Sequence, residues 1–247
     1  RDRDKTYSVQ VSETYRGVTK TSTLQSMHLQ LALCGSTNWK KPLKTFIGTY
    51  LNLARINLSG CGSEHLNYVT DFTGSDLSNA NFGSSHFSDP LFNDANLSNA
   101  NFSSSVNTSG GFTRTNLHQV NFANAGCQNC VFVNSDLSGA DLHNGNFRSG
   151  AFTNCHMEGA NIDHSTVTST FFTGNYATGL IGTPIGLTAV LLINGNIVGR
   201  GAHLHGADLG AQFMVGVILS DADLSNANLA GSNISATFLL SLIHISE

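Results

Sequence analysis

Residues 95–104 read ANLSNANFSS, and this order of one small, one polar, one apolar and two polar residues decides the fold. The central apolar residue returns at every fifth position from 72 to 172, and of these twenty-one positions only Asn107 is strongly polar. A small side chain such as Ala95 or Ala100 stands two positions before most of them. A period of five fits neither an α-helix, at about 3.6 residues per turn, nor a flat strand, at about two. The pattern therefore predicts a repeat architecture.

Central residues that lie twenty positions apart have similar side chains. The first such column contains Phe72, Phe92, Phe112, Phe132, Phe152 and Phe172. The second and third begin at Leu77 and Phe82, and the fourth contains Phe87, Asn107, Cys127, Phe147 and Val167. Like side chains stacked at the strand spacing of about 4.8 Å can fill the interior of a solenoid. The columns predict a coil of twenty residues with four sides, in which Asn107 is either buried with its amide satisfied or turned outward by a bulge over 106–111.

The repeats at 95–99 and 140–144 (ANLSN and ADLHN) resemble those of the pentapeptide-repeat family. The resemblance implies an all-β fold, a right-handed four-sided parallel β-helix in which each pentapeptide forms one side. It implies much less about function, because one fold can serve many functions.

The repeat pattern also predicts the domain organisation. We expect an N-terminal cap over residues 1–45, the main β-helix over 46–172, and a linker with a β-hairpin over 173–201. A second short repeat array over 202–239 is too short to be stable alone and is expected to stack on or near the first. Residues 240–247 resemble a translated adapter sequence and receive no functional weight; since the chain begins at Arg1, we expect a fragment or a processed form.

The N-terminal region gives further expectations. Residues 1–20 alternate loosely and predict one or two strands, whereas 22–34 fits either a strand or a short helix. The five-residue period is then expected to start early, with the central positions Phe46, Leu51, Ile56, Cys61 and Leu66. The step of six from Leu66 to Phe72 predicts a one-residue bulge near 67–70.

The linker contains a hairpin signal. Asn194 and Gly195 separate two short apolar runs, and this dipeptide favours a tight turn between antiparallel strands.

The residues that could carry chemistry do not form a recognisable set. Cys127 and Cys130 form a C-x-x-C motif, but both fall on inward positions, which favours small core residues over a redox or metal motif. The histidines are scattered, and no arrangement of nucleophile, base and orienting group is readable. We therefore expect a protein that is not an enzyme and has no cofactor, no metal and no small-molecule substrate.

Composition and charge set further bounds. The sequence contains no run of 18 apolar residues, so it predicts no membrane span. No signal peptide is visible, which favours the cytoplasm without excluding export. Residues 1–55 contain nine Lys or Arg and three acids, whereas 56–247 contain three Lys or Arg and thirteen acids. A basic head on an acidic rod could steer partners or dock on another rod.

Three functions fit these observations. The first is a non-catalytic rod that binds a protein partner or a second copy of itself, with no nucleic-acid contact. The second is a DNA mimic that inhibits or protects a type II topoisomerase (gyrase), an activity that the resemblance implies for some members; however, many outward positions carry neutral Asn in place of acid. The third is a surface or ice-binding β-solenoid.

The outward positions beside the first Phe column form the candidate interaction face. They carry threonine and apolar residues where the other walls carry mostly Asn, Asp, Ser or His. The candidate residues are Thr73, Leu91, Thr113, Val131, Val133, Thr153, Phe171 and Thr173. A strip of this kind suits a flat partner, a second copy, the N-terminal cap or an ice lattice, although β-branched residues are also favoured on any sheet surface.

Overall fold

A computed structural model of the chain describes residues 8–15, 18–25, 46–47, 53–55, 57–59, 69–188 and 190–235. From residue 46 onward the described chain is an all-β, right-handed, four-sided parallel β-helix with one inserted antiparallel hairpin, as the repeats predict. Its strands are β1 (Ser8–Tyr15), β2 (Val18–Gln25), β3 (Phe46–Ile47), β4 (Val69–Asp71), β5 (His86–Leu91), β6 (Val106–Thr108), β7 (Gly111–Thr113), β8 (Val131–Val133), β9 (Ala151–Thr153), β10 (Phe171–Thr173), β11 (Leu191–Ile193) and β12 (Asn196–Val198). None of the described residues belongs to a helix that could cross a membrane.

Backbone pairing repeats every twenty residues on each of the four sides. On the first side, Val131 pairs in parallel with Gly111 of the preceding coil and with Ala151 of the following coil. On two further sides, Asn96 pairs with Asn116 and Asn101 with Asn121. The fourth side pairs Val106 with Gly126. The coil length and the four sides are therefore as predicted.

The corners of the coil explain why the sequence is rich in Asn, Ser and Gly. The residue two positions after each central one adopts a left-handed conformation, as at Asn79 (φ 57°), Asn99 (φ 56°) and Asn124 (φ 59°). The corner is closed by a turn bond, such as that from Ala100 N to Leu97 O at 3.0 Å. Asn, Asp and Gly tolerate positive φ better than other residues, so the polar repeat positions are selected by backbone geometry.

The core consists of stacked phenylalanine rings. Phe112 and Phe132 are stacked with ring centroids 4.7 Å apart and an interplanar angle of 9°. Phe112 meets Phe122 of the third column edge-to-face, at 5.9 Å and 90°. Both arrangements are favourable for aromatic rings, so adjacent columns pack against each other as well as along the axis.

For the described residues between 53 and 59 the predicted phase is wrong by two residues; the predicted central positions Leu51, Ile56, Cys61 and Leu66 themselves lie outside the described residues. Leu53 and Leu58 are buried, and their amides donate to Asp76 O and Asn81 O in the pattern of central residues. They therefore stack 24 positions before Leu77 and Phe82, so this coil contains four extra residues and not one. Sequence could not separate the two phases, because Leu51 and Ile56 are also apolar and five apart.

The N-terminal residues that the structure describes form an antiparallel hairpin of β1 and β2, with Tyr15 opposite Val18. Residues 22–25 of the ambiguous segment belong to β2. The remainder of that segment and the tail at 240–247 lie outside the described residues.

Backbone pairing continues where the apolar period ends. Tyr176 pairs with His156, and Ile185 pairs with Thr166. The ladder of hydrogen bonds between successive coils is made by backbone groups, so it does not require an apolar central residue in every repeat. β11 and β12 then form the predicted hairpin around Asn194 (φ 47°) and Gly195 (φ 73°), the two positive φ angles of a type I′ turn.

The second array joins the first through two of its sides. Gly174 N donates to Arg200 O at 3.1 Å, and His203 N donates to Asn175 O at 3.3 Å. The rings of Tyr176 and His203 stack across this junction with centroids 3.6 Å apart. The ladder thus continues from one array to the other on these sides. The hairpin is inserted between the arrays, with Ile197 in the core of the first and Val198 in the core of the second, and Leu180 N donates to Gly195 O at 3.0 Å.

Candidate interaction face

The phenylalanine wall, defined as the outward residues on either side of the first Phe column, is a continuous parallel sheet. Strands β7 to β10 pair in register, so that Thr113, Val133, Thr153 and Thr173 are successive neighbours. Leu91, at the end of β5, pairs with Gly111. Among the described residues the second and third walls are joined by isolated single-residue bridges, whereas three consecutive residues of each strand pair on this wall from β7 to β10.

The eight candidate residues all lie on this wall but differ in exposure. Val131 and Phe171 expose 42% and 70% of their surface, respectively. The other six, Thr73, Leu91, Thr113, Val133, Thr153 and Thr173, are half-buried between their neighbours. The wall is therefore a surface of half-buried side chains, mostly threonine and valine, from which the two apolar side chains of Val131 and Phe171 project.

The carbonyl groups behind this wall are satisfied from inside the coil. Thr115 Oγ1 donates to Phe92 O at 2.8 Å, and Ser135 Oγ donates to Phe112 O at 2.7 Å. Asn175 Nδ2 donates to Phe152 O at 2.9 Å. These buried donors hold the Phe strands in place, so the wall is a rigid surface.

Beyond Asp71, at the start of the wall, charge at this face lies at one corner. Arg114 donates to both carboxylate oxygens of Asp94, at 2.6 Å and 2.7 Å, and both side chains are exposed. The hydrogen bond from Arg114 lowers the pKa of Asp94 below its ordinary value. Since the two charges neutralise each other, the wall from Leu91 to Thr173 offers a partner little net charge.

The outward Asn residues of the second and third walls have a structural role that sequence reasoning missed. Asn101 Oδ1 accepts the N–H of Ser103 at 3.0 Å, and Asn101 Nδ2 donates to Asn81 Oδ1 at 3.0 Å. Asp76 fits the same pattern, because it accepts from Ser78 N at 3.1 Å and from Asn96 Nδ2 at 3.3 Å. Each side chain thus closes its own turn and bonds along the axis. The signal was present in the sequence as Asn recurring every twenty residues.

Further exposed apolar residues, which the sequence did not single out, lie around the junction of the two arrays. Ile181 and Ile185 are exposed on two other walls of the last coil of the first array. In the second array Phe213 exposes 74% of its surface, and Ile218 is exposed near it in sequence. Gly201 N donates to Ser220 O in the same pattern as Gly74 N to Asn93 O, which places Ile218 on the continuation of the phenylalanine wall.

The two cysteines of the C-x-x-C motif are bonded to each other. The sequence places Cys127 and Cys130 in the core, and both are buried there, but the expectation of two separate small residues is wrong because they form a disulfide. The corner of the coil brings their Cα atoms within 5.3 Å, which suits such a bond. Cys155 is a free, buried thiol whose pKa is raised to about 11 by burial.

The repeats identify the family. A family model described as pentapeptide repeats matches eight copies, over residues 70–104, 112–148, 136–174 and 202–239, which together are more than half of the chain. This chain belongs to the pentapeptide repeat family.

Solved pentapeptide repeat structures resemble the chain at the level of the fold. HetL, a pentapeptide repeat protein involved in heterocyst differentiation regulation from the cyanobacterium Nostoc sp. strain PCC 7120, matches 85% of this chain and 92% of its own, with a TM-score of 0.53 and 18% identity. QnrB1, a plasmid-mediated fluoroquinolone resistance protein, matches 79% of this chain and 91% of its own, with a TM-score of 0.43 and 15% identity. No curated protein sequence shows significant similarity to this chain.

Several titratable residues in the described part of this pentapeptide repeat chain form pairs on the outer walls. Each of the imidazoles of His143, His156 and His164 contacts an acid from its own repeat, at 2.7 Å, 3.3 Å and 2.9 Å, on an outer wall. Within the described part of the chain, no three His, Cys, Asp or Glu side chains converge in a way that could hold a metal ion.

Proposed function

We propose that this pentapeptide repeat protein is a non-catalytic rod that binds another protein, or a second copy of itself, through the phenylalanine wall. The observation that carries the proposal is the exposure of Val131 and Phe171 on the in-register strands β7 to β10, whose other outward residues are threonine, valine, glycine and alanine. Apolar groups aligned on one exposed surface are typical of interaction sites. The proposal assigns no cofactor, small-molecule substrate or nucleic-acid contact to the chain.

The geometry of the wall favours a flat partner over a convex one. Its strands repeat along the axis, and the buried donors behind them keep the surface rigid. A rigid surface loses little conformational entropy when a partner binds. The main contribution to affinity is then expected from burial of the two projecting side chains.

The alternative function, imitation of DNA, receives less support from the wall chemistry. Asp76 and Asp136 are separated along their wall by the neutral Asn96 and Asn116. The Oδ1 atoms of both aspartates accept backbone N–H groups of their own turns. A surface that imitates phosphates needs a denser row of free negative charge than this.

Paired arginine substitutions test the proposed face. Thr113→Arg with Thr153→Arg places two cations on the wall, two coils apart and on either side of Val133. We expect the circular dichroism spectrum and the melting temperature to stay nearly unchanged, while self-association, measured as molecular mass in solution, or capture of a reproducible partner in pull-downs is lost.

The matched control is Ser98→Arg with Ser138→Arg, the same spacing on the neighbouring wall. This pair is expected to keep the mass and the captured partner of the wild type. If both doubly substituted proteins behave alike, the phenylalanine wall is ordinary surface and the proposal is wrong.

A further inference from the structure

The second array carries three exposed apolar side chains around one of its corners. Phe213 and Val215 flank the buried Met214, and Ile218 follows just past the corner at Gly216. A Cβ atom added to Gly216 would meet no heavy atom within 4 Å beyond its chain neighbours, so the described part of the chain leaves this corner open. Phe213, Val215 and Ile218 are called the apolar corner below.

Backbone bonds place the apolar corner on the fourth and first walls. His203 N donates to Asn175 O, which continues the second wall into the second array. Each repeat forms one side, so Phe213 lies two sides further along, on the fourth wall, and Ile218 lies on the first. The apolar corner therefore continues the phenylalanine wall and adds part of the neighbouring wall.

Acidic side chains are absent from the outward positions of these two walls. Between residues 126 and 235, the described positions beside the central residues of the fourth and first walls contain no Asp or Glu. Apart from Asp221 at a corner, the acids of this stretch lie on the second and third walls: Asp136, Asp141, Glu158, Asp163, Asp208 and Asp223. Because the chain has more acids than Lys and Arg, a second copy meets less like-charge repulsion at the apolar corner than at the opposite walls.

An ion pair lies at the other edge of the first wall. Arg200 Nε and Nη2 are both 3.5 Å from Asp221 Oδ2, and both side chains are exposed. An exposed pair of this kind contributes little within one chain, so its members can exchange partners readily. A two-fold axis presents the same surface of each copy to the other, so Arg200 of one copy can face Asp221 of the second copy. The rim of the apolar corner is thus self-complementary in charge.

We propose that the apolar corner is the contact surface of a symmetric dimer. Phe213, Val215 and Ile218 of both copies are buried at its centre, and Arg200 and Asp221 pair between the copies at its rim. The inference rests on the proposed function, because it names a second copy as the partner and extends the phenylalanine wall into the second array.

The test is the molecular mass of the folded, full chain, measured by sedimentation over a range of concentrations. The wild type should form a dimer. Phe213→Arg and Ile218→Arg should each weaken that dimer by about tenfold or more, because each places a cation opposite its own copy in an apolar contact. Their circular dichroism spectra should match the wild type, since both positions are exposed.

Ile181→Arg is the matched control, because Ile181 is also exposed but lies on the third wall. Its dimer should be as stable as that of the wild type. A wild-type chain that stays monomeric at every concentration, or an equal loss in Ile181→Arg, would overturn the proposal.

Charge reversal tests the rim. Arg200→Asp leaves only acids there and Asp221→Arg leaves only cations, so each variant alone should associate less than the wild type. An equimolar mixture of the two should recover the dimer, because opposite charges then face each other. A pair within one chain cannot produce that recovery. A mixture that associates no better than either variant would overturn the pairing between copies.

These outcomes are distinct from those of the proposed function. If the corner variants lose the dimer while Thr113→Arg with Thr153→Arg behaves like its serine control, the dimer stands and the proposed face is wrong. If the wild type is monomeric but captures a partner that the threonine pair abolishes, the proposed face stands and the dimer is wrong. A dimer that forms only after deletion of residues 236–247 would assign the apolar corner to that segment and overturn the dimer of the full chain.

Discussion

Phe132 and Phe152 lie with their ring centroids 4.7 Å apart and their planes 7° from parallel. Both rings are buried, and Phe152 stacks in turn on Phe172 at 5.1 Å. The spacing of the rings follows that of the paired strands that carry them, so the backbone ladder fixes how closely the side chains pack. Loss of one ring would leave a gap that its neighbours cannot close without breaking the ladder.

The first prediction concerns this column. Phe132→Ala should lower the free energy of unfolding by about 3–5 kcal/mol, because a buried ring is lost and a cavity remains. Thr113→Ala, on the outer surface of the same wall, should cost less than about 0.5 kcal/mol. Denaturant unfolding measures both values, and equal losses would contradict the assignment of inward and outward positions.

The second prediction concerns a corner of the second array. Ala211 adopts φ 54°, whereas the corners before and after it are Gly206 and Gly216. Ala211→Gly should raise the free energy of unfolding by about 0.5–1 kcal/mol, because it relieves the left-handed strain of a residue with a Cβ atom.

Ala230→Gly is the control for that substitution. Ala230 is also exposed and lies in the next coil, but its φ is not positive. This change should lower stability slightly, because glycine only adds freedom to the unfolded chain. A loss in both variants would mean that the corner of Ala211 is not strained.

The third prediction concerns the buried amide of the fourth column. Asn107 is fully buried in β6 and paired in register with β5, so the outward alternative is wrong. Asn107→Leu should raise the free energy of unfolding by about 1 kcal/mol, since it removes the acceptor that lacks a donor. A thermal or denaturant melt that instead shows a loss above about 2 kcal/mol would mean that the bond to Ser105 outweighs that acceptor.

The fourth prediction concerns the ion pair of Asp94 and Arg114. The hydrogen bonds that Asp94 accepts from Arg114 lower the pKa of Asp94 in the folded protein. The stability that Asp94 contributes is therefore fully present above the ordinary carboxyl pKa. It is lost as the pH falls through the lower pKa of the folded state. The melting temperature of Asp94→Asn should therefore lie below that of the wild type at pH 7, and the two should converge between about pH 4 and pH 2.

Asp89→Asn provides the comparison, because Asp89 occupies the preceding corner in the same left-handed conformation. Its melting temperature should differ less from that of the wild type, and added salt should reduce only the Asp94 difference. A difference for Asp94→Asn that persists at pH 2 would exclude the ion pair as its cause.

The fifth prediction concerns DNA mimicry. Micromolar amounts of the protein should leave the supercoiling activity of gyrase unchanged, because neutral Asn residues separate the acids of the walls. An agarose-gel supercoiling assay measures this directly. Inhibition that weakens as salt is added would instead support the alternative function.

The fold was largely predictable from sequence because backbone geometry and core packing impose the same five-residue period. The Phe column from Phe72 to Phe172 is buried as predicted, and the corners at Asn79 and Asn99 need the residue types that the repeat supplies. Prediction failed where apolar residues satisfied two phases at once, as around Leu53 and Leu58. It also missed pairing that depends on backbone groups alone, as at Ile185.

The sequence predicted where the candidate face lies but not which of its side chains are exposed. Outward alternation placed Val131 and Phe171 on one wall, yet nothing in the sequence distinguishes their exposure from the partial burial of Leu91 or Val133. Exposure depends on the size of neighbours twenty residues away, such as Gly111 and Ala151 beside Val131. The continuation of the wall to Ile218 depends on the length of the hairpin segment inserted between the arrays, which the repeat pattern does not encode.

The four-sided coil also limits which insertions and deletions the gene can tolerate. Loss of any five consecutive residues from the repeats would preserve the order of inward and outward positions, but it would turn everything downstream by a quarter of a revolution about the axis. Val131 and Phe171 would then face different directions if the loss fell between them. Changes of whole twenty-residue coils keep the wall straight, as do insertions after which the chain returns to the same side, such as the β11–β12 hairpin. Such a rod is therefore expected to lengthen or shorten in evolution by duplication or loss of complete coils, with insertions confined to such sites.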